Sequence, residues 1–231
     1  MRKIGLIGGM SWVSTRTYYD HINKLVQGRT STLSSAPLII ESLDFAPLAR
    51  LSSAEEWARA ALVLVESAQR LAQAGASAIL IGANSMHKVY DKVAAAVDVP
   101  VIHIADAVGA RMQADGVTTA ALIGSRNVMV ESFYRKRLVA HGVTLLPPVM
   151  DNVEEIDRII YEELMQGRVT RAAERTFKTM ITSMDQAGAQ AVVLGCTELD
   201  TVIDVDANVL PIYDGARIHA EAAVGWIMGD S

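Results

Sequence analysis

A chain of 231 residues is long enough for one large or two compact domains, with about 70% of its extended surface buried on folding. Its composition, 51% hydrophobic, 20% charged and 5% aromatic, is that of an aliphatic-packed globule and excludes a disordered or collagen-like polymer. The net charge of −5, from 21 basic and 26 acidic residues, argues against an extended nucleic-acid surface but leaves small anions open as ligands.

Met1 to Gly9 combine two basic residues with an apolar run that breaks at Gly8-Gly9, too short for the core of a secretion signal. No run reaches the roughly 20 apolar residues of a membrane span. Cys196 is the single cysteine, so no intramolecular disulfide can form. The expected setting is the cytoplasm, with neither nucleic acid nor membrane among the partners.

Short Val/Ile/Leu runs, several ending in glycine, predict strands at 3–8, 37–42, 77–82 and 100–104 and again at 118–123, 143–146, 190–194 and 209–213. Between them, Glu55-Glu56 open an amphipathic stretch to Ala74 in which Trp57, Ala61, Leu64, Ala68, Leu71 and Ala72 share one helical face. Residues 152–166 and 169–187 read as helices too. Strands alternating with helices predict an α/β fold with parallel sheets.

The chain also repeats itself. Ala74 to Asn84 aligns without a gap on Ala187 to Thr197, so that Ala83 falls on Cys196, an offset of 113 residues. Ile4 to Gly8 aligns on Ala120 to Gly124 at an offset of 116, and Val99 to His103 pairs more loosely with Leu210 to Tyr213. The expected architecture is two pseudo-symmetric α/β halves, each a four-stranded parallel sheet flanked by helices, with the active site in the cleft between them. The halves are expected at 1–110 and 111–213, with a C-terminal helix at 214–231 returning to the first.

In both repeats a glycine ends the strand just before a helix, where parallel sheets collect ligands and helix N-termini offer free N–H groups. Ala83-Asn84-Ser85 and Cys196-Thr197-Glu198 are therefore equivalent positions. A thiol at a helix N-terminus is expected to have a lowered pKa. Glu198 reads equally as a catalytic group or as a charge favoured by the helix dipole, and Trp12 as a lid or as a staple between helix and sheet. Gly8-Gly9 lacks the spacing of a dinucleotide loop, the acidic candidate being Glu41 alone. His21, His103, His141 and His219 show no metal-ligand spacing, so no metal is expected. Arg135-Lys136-Arg137 reads as a solvated helix face.

Gly8-Gly9-Met10-Ser11-Trp12, Asn84-Ser85-Met86-His87-Lys88 and Leu194-Gly195-Cys196-Thr197-Glu198 together resemble the cofactor-independent aspartate/glutamate racemases, above all their broad-specificity bacterial amino-acid racemases. The resemblance runs over essentially the whole length. It implies an isomerase that needs no pyridoxal cofactor, acts at Cα of aspartate, glutamate or a related small amino acid, and pairs as a homodimer. A thiolate on one face takes the Cα proton and an acid on the other returns one. Cys196 is the implied catalytic group; Asn84, Ser85 and Thr197 match positions that hold the α-carboxylate, and Met10 lies in the loop that borders it. Arg50 and Ser125, next to Arg126, are weaker candidates for a side-chain carboxylate.

One position departs from the pattern. Where the family usually carries its first catalytic Cys or Thr this chain has Ala83, which carries no exchangeable proton. Ser85 lacks a visible activator, and His87 falls one turn into the following helix. The arylmalonate decarboxylases, wider relatives, resemble these racemases in fold and protonate one face with one cysteine opposite a small residue. Alongside racemisation stand two alternatives: a one-sided single-cysteine decarboxylase or isomerase-type enzyme, and a small-molecule binding protein that has lost turnover.

Overall fold

The computed structural model describes residues 1–230, which divide into two compact units: residues 1–103 with 219–230, and residues 104–218. In the first unit the chain runs through β1 (Ile4–Gly8), α1 (Trp12–Arg29), β2 (Leu38–Ser42), α2 (Ala54–Gln73), β3 (Ala78–Ile81), α3 (Tyr90–Ala94) and β4 (Val101–Ile102). The second unit holds α4 (Ile104–Ala114), β5 (Thr119–Gly124), α5 (Arg126–Val130), α6 (Ser132–Ala140), β6 (Thr144–Leu145), α7 (Met150–Glu162), α8 (Arg171–Gln186), β7 (Ala191–Gly195) and β8 (Ile212–Asp214). Helix α9 (Gly215–Met228) starts in the second unit and continues in the first from His219.

Each unit is built on a four-stranded parallel sheet, ordered β2-β1-β3-β4 in one and β6-β5-β7-β8 in the other. The strand order is the same in both. The three repeats seen in the sequence occupy equivalent strands, β1 with β5, β3 with β7 and β4 with β8. The two central strands of each sheet are buried along their whole apolar length, which accounts for continuous Val/Ile/Leu runs in place of alternation.

Local chemistry sets the helix starts. At α2, Ser53 accepts the Glu56 N–H at 3.2 Å while the Glu56 carboxylate accepts from Ser53 N at 3.0 Å, a reciprocal cap. Trp57, Ala61, Leu64, Ala68 and Leu71 then turn inward onto the first sheet, as their spacing predicts. Ser11 caps α1 by accepting from Ser14 N. Among the described residues no helix is long and apolar enough to cross a membrane.

Of the two readings of Trp12, the staple has no support here, because the residue is 65% exposed with its ring beside Arg16. The Arg135-Lys136-Arg137 run is not a solvated face either: Arg135 reaches the carbonyls of Leu145 and Leu146, and Arg137 pairs with Asp106 at 2.8 Å.

Candidate functional site

In the first unit, the carboxyl ends of β1 and β3 are brought together by the register Ile7↔Ile81. The loop after β1 is fixed at Gly9, whose φ of 83° suits glycine and whose α-carbon sits against the main chain of Leu43. Thr15 accepts the Gly9 N–H at 2.7 Å and donates to the Ser11 carbonyl at 3.0 Å, tying the loop to α1. Met10 is thereby turned into the core, where it belongs to the same packed cluster as Ala83 and Met86.

Asn84 follows at the end of β3. It is 4% exposed, yet neither its side-chain Nδ2 nor its Oδ1 has a hydrogen-bond partner among the described residues. Leaving such a group unpaired costs about 1–3 kcal/mol, so a buried amide without partners is poised for a ligand that supplies both a donor and an acceptor or a bridging polar group. The neighbouring Ser85 is half-buried and its hydroxyl makes no hydrogen bond among the described residues.

His87 turns away from that position. Its Nδ1 lies 3.0 Å from the Ala83 carbonyl, and its ring packs against His103 and His219 at centroid distances of 4.5 and 5.7 Å. Burial, then the two neighbouring imidazoles, push its pKa well below the usual histidine range. His219 is likewise lowered, to about 4, by burial. Its Nε2 lies 2.9 Å from the Ile102 carbonyl, which makes Nε2 the protonated nitrogen and Nδ1 the acceptor of the Tyr18 hydroxyl at 2.8 Å. No spacing in the sequence marks this cluster, because its members lie far apart along the chain.

In the second unit, the register Gly124↔Gly195 sets Ser125 and Cys196 at neighbouring strand ends. The two glycines allow the strands' backbones to approach closely: a methyl on Gly124 would lie 2.8 Å from the Gly195 carbonyl. Cys196 is extended and 8% exposed, and a five-residue 3-10 turn, Thr197–Thr201, follows it. Its Sγ–H donates to Glu198 Oε2 at 3.1 Å, and the Thr197 hydroxyl donates to the same oxygen at 3.1 Å. Glu198 itself is 4% exposed.

This geometry corrects the expected thiol chemistry. Burial and then the Glu198 carboxylate push the Cys196 pKa well above the ordinary thiol value. One short 3-10 turn carries too little dipole to offset them. Cys196 therefore rests as a thiol that hands its hydrogen to a carboxylate, an arrangement suited to giving a proton and to receiving it back. Asp200 nearby is raised to about 6 by burial and by the charges of Asp214 and Glu198.

Two further candidates remain. Ser125 is buried and opens α5 without a side-chain capping bond. Arg50 is exposed and adopts a left-handed φ of 53°. Glu198, which the sequence leaves open between a catalytic group and a dipole-favoured charge, is brought to 3.1 Å from the Cys196 thiol, and its signal was the two-residue spacing from the cysteine.

The family model for Asp/Glu/Hydantoin racemases matches residues 7–223. Among solved structures, a candidate Asp/Glu racemase from Yersinia pestis is 37% identical with a TM-score of 0.91, covering 99% of this chain and 100% of that one. An aspartate racemase homologue from Pyrococcus horikoshii OT3 is 32% identical with a TM-score of 0.86, again over 99% and 100%. The broad-specificity amino-acid racemase RacX of Bacillus subtilis (strain 168) is 21% identical over 225 residues, 96% of each chain.

Proposed function

Because the chain belongs to the Asp/Glu/Hydantoin racemase family, we propose that it moves a proton at the carbon beside a carboxylate with Cys196 as its single thiol, working on one face of the substrate. The observation that carries this reading is the Cys196–Glu198 hydrogen bond in a chain whose equivalent repeat position is Ala83. A methyl group holds no proton. His87, the nearest imidazole in sequence, is occupied by the Ala83 carbonyl and held neutral by burial.

In this reading the net reaction is decarboxylase-type: the bond from Cα to a second carboxylate breaks, CO₂ leaves, the electron pair left on Cα takes the Cys196 thiol proton, and Glu198 relays a proton from water back to the sulfur. With an amino acid the same pair removes and returns the Cα proton, which is exchange without net reaction. Burial that raises the thiol pKa makes the transient thiolate a stronger base, which a weakly acidic Cα–H requires. In the first unit Asn84 and Ser85 match positions that the family resemblance gives to a carboxylate, with Met10 in the bordering loop; in the second unit the Thr197 hydroxyl holds Glu198 in place. The negative charge that develops on the carboxylate is met by aimed polar groups of the protein itself. Small acids, aspartate and glutamate first, are the substrate class, and the enzyme works without a cofactor.

The second reading, two-sided racemisation of an amino acid, is favoured by the description of RacX as a racemase. Incubation with each enantiomer of aspartate and glutamate in D₂O separates the two. NMR follows loss of the Cα proton and chiral chromatography follows configuration. Exchange with retention supports the one-sided thiol, and Cys196→Ser should abolish it. Exchange with inversion replaces it by racemisation. No exchange with any of the four sinks the acidic amino acids as substrates. Ala83→Cys adds a check: steeply rising inversion marks a racemase that lost its first acid, whereas a collapse of activity marks a site that needs the space.

A further inference from the structure

The second unit contains an apolar cavity of about 310 Å³, a volume at the lower end of the range for small-ligand sites. Ala121 and Leu122 of β5, Val153 and Ile156 of α7 and Met184 of α8 form its walls. Neither Cys196, Thr197 nor Ser125 lines it. At the rim run Pro147 and Pro148, whose rings fix φ and which have no N–H to satisfy, so this edge of the opening is stiff and apolar.

One charged side chain reaches the wall. Arg135 of α6 is half-buried and donates from Nη1 to the Leu145 carbonyl at 2.7 Å and from Nη2 to the Leu146 carbonyl at 3.2 Å. Among the described residues it has no carboxylate partner, although Arg137, two positions on, is paired with Asp106. The two carbonyl bonds leave other N–H groups of the guanidinium fork unused. Asn152 of α7 lines the same cavity, and its carboxamide makes no hydrogen bond among the described residues. A partly desolvated cation without a counter-ion is costly, and its pKa is lowered by that burial.

We propose that this cavity binds an amphipathic monocarboxylate, with its hydrocarbon body in the apolar chamber and its carboxylate on Arg135 and Asn152. The guanidinium fork matches a carboxylate in shape. A single cation balances a single charge, which favours a carboxylate over a phosphate dianion. At roughly 30 Å³ per water-sized group, the cavity takes a body of about ten non-hydrogen atoms.

The test uses the full chain with ¹³C-methyl methionine, because Met129 and Met184 line the cavity and report on it directly. The probes are 4-phenylbutanoate and its neutral isostere 4-phenylbutanamide. The acid should shift the Met129 and Met184 methyls and bind about tenfold or more tightly than the amide, as expected for a charge-assisted pair. Arg135→Met should erase that difference, and Arg135→Lys should keep part of it. Ser183→Trp, a surface change on α8 at the cavity edge, should weaken both probes, and it supplies the check should Arg135→Met fail to fold. Equal binding of acid and amide would mean an apolar hole without anion recognition and would overturn the proposal. So would methyl shifts confined to other methionines, or no shift up to the millimolar range.

Discussion

The Cys196 thiol donates to the Glu198 carboxylate at 3.1 Å with both groups buried, so one proton is held between two side chains. Replacing the carboxylate by an amide separates their contributions. Glu198→Gln removes the second cause of the raised thiol pKa, the carboxylate charge, and weakens the third, the accepting bond, which an amide oxygen can still make; burial and the Asp200 charge remain. The thiol pKa should therefore fall, by about one to three units for a like charge at contact distance. The pH profile of iodoacetamide alkylation reads this directly; an unmoved profile refutes the coupling. Cα-proton exchange should drop about 100-fold or more with the lost base.

Asn84 presents the opposite situation, a buried amide whose side-chain polar atoms make no hydrogen bond among the described residues. Asn84→Leu, which keeps the number and branching of side-chain heavy atoms, removes two unsatisfied polar atoms. The ligand-free protein should become more stable by about 1 kcal/mol, read as a higher denaturation midpoint. Stabilisation by added aspartate or glutamate should disappear. A variant less stable than the parent would mean that the amide has a structural partner in solution.

The legible parts of this molecule were those written by period and repetition. Each of the eight strands overlaps its apolar run, the last only at Ile212 and Tyr213 of 209–213, because buried parallel strands need uninterrupted aliphatic residues, and the Ala83/Cys196 alignment corresponds to equivalent ends of β3 and β7. The sign of the thiol shift was not legible. It depends on how deeply Sγ is buried and on a carboxylate turned back toward it, and neither follows from placing a cysteine before a turn. Arg135 misled for the same reason: a basic run looks solvated until the carbonyls of Leu145 and Leu146, ten and eleven residues away, come into reach. The His87, His103 and His219 cluster required tertiary contacts that no spacing encodes.

Asp200 provides a pH test of the second unit. Its carboxyl titrates at about 6 in the fold against an ordinary 3.8, chiefly through burial, then through Asp214 and Glu198. Between those values the folded protein keeps a proton that the unfolded chain has released, so stability falls as pH rises through the window and the loss is complete above about 6. Asp200→Asn removes the charge. Thermal melts should show the variant matching the parent near pH 4 and exceeding it by a few degrees near pH 7.5. A gain of the same size at both values would rule out ionisation as the cause.

The loop that carries Met10 depends on Gly9. Its φ of 83° is unfavourable for any residue with a β-carbon, and a methyl there would overlap the main-chain nitrogen and oxygen of Leu43, whose N–H bonds the Gly8 carbonyl at 3.0 Å. Backbone cannot rotate aside as a flexible side chain can. Gly9→Ala should cost about 1–3 kcal/mol from the left-handed conformation alone, and more from the displaced segment after β2. Denaturant melts measure the loss. The companion Gly28→Ala, in α1 with open space around it, should be neutral or stabilising by up to about 1 kcal/mol. Equal effects at the two positions would show that the close approach of Gly9 to Leu43 does not constrain the loop.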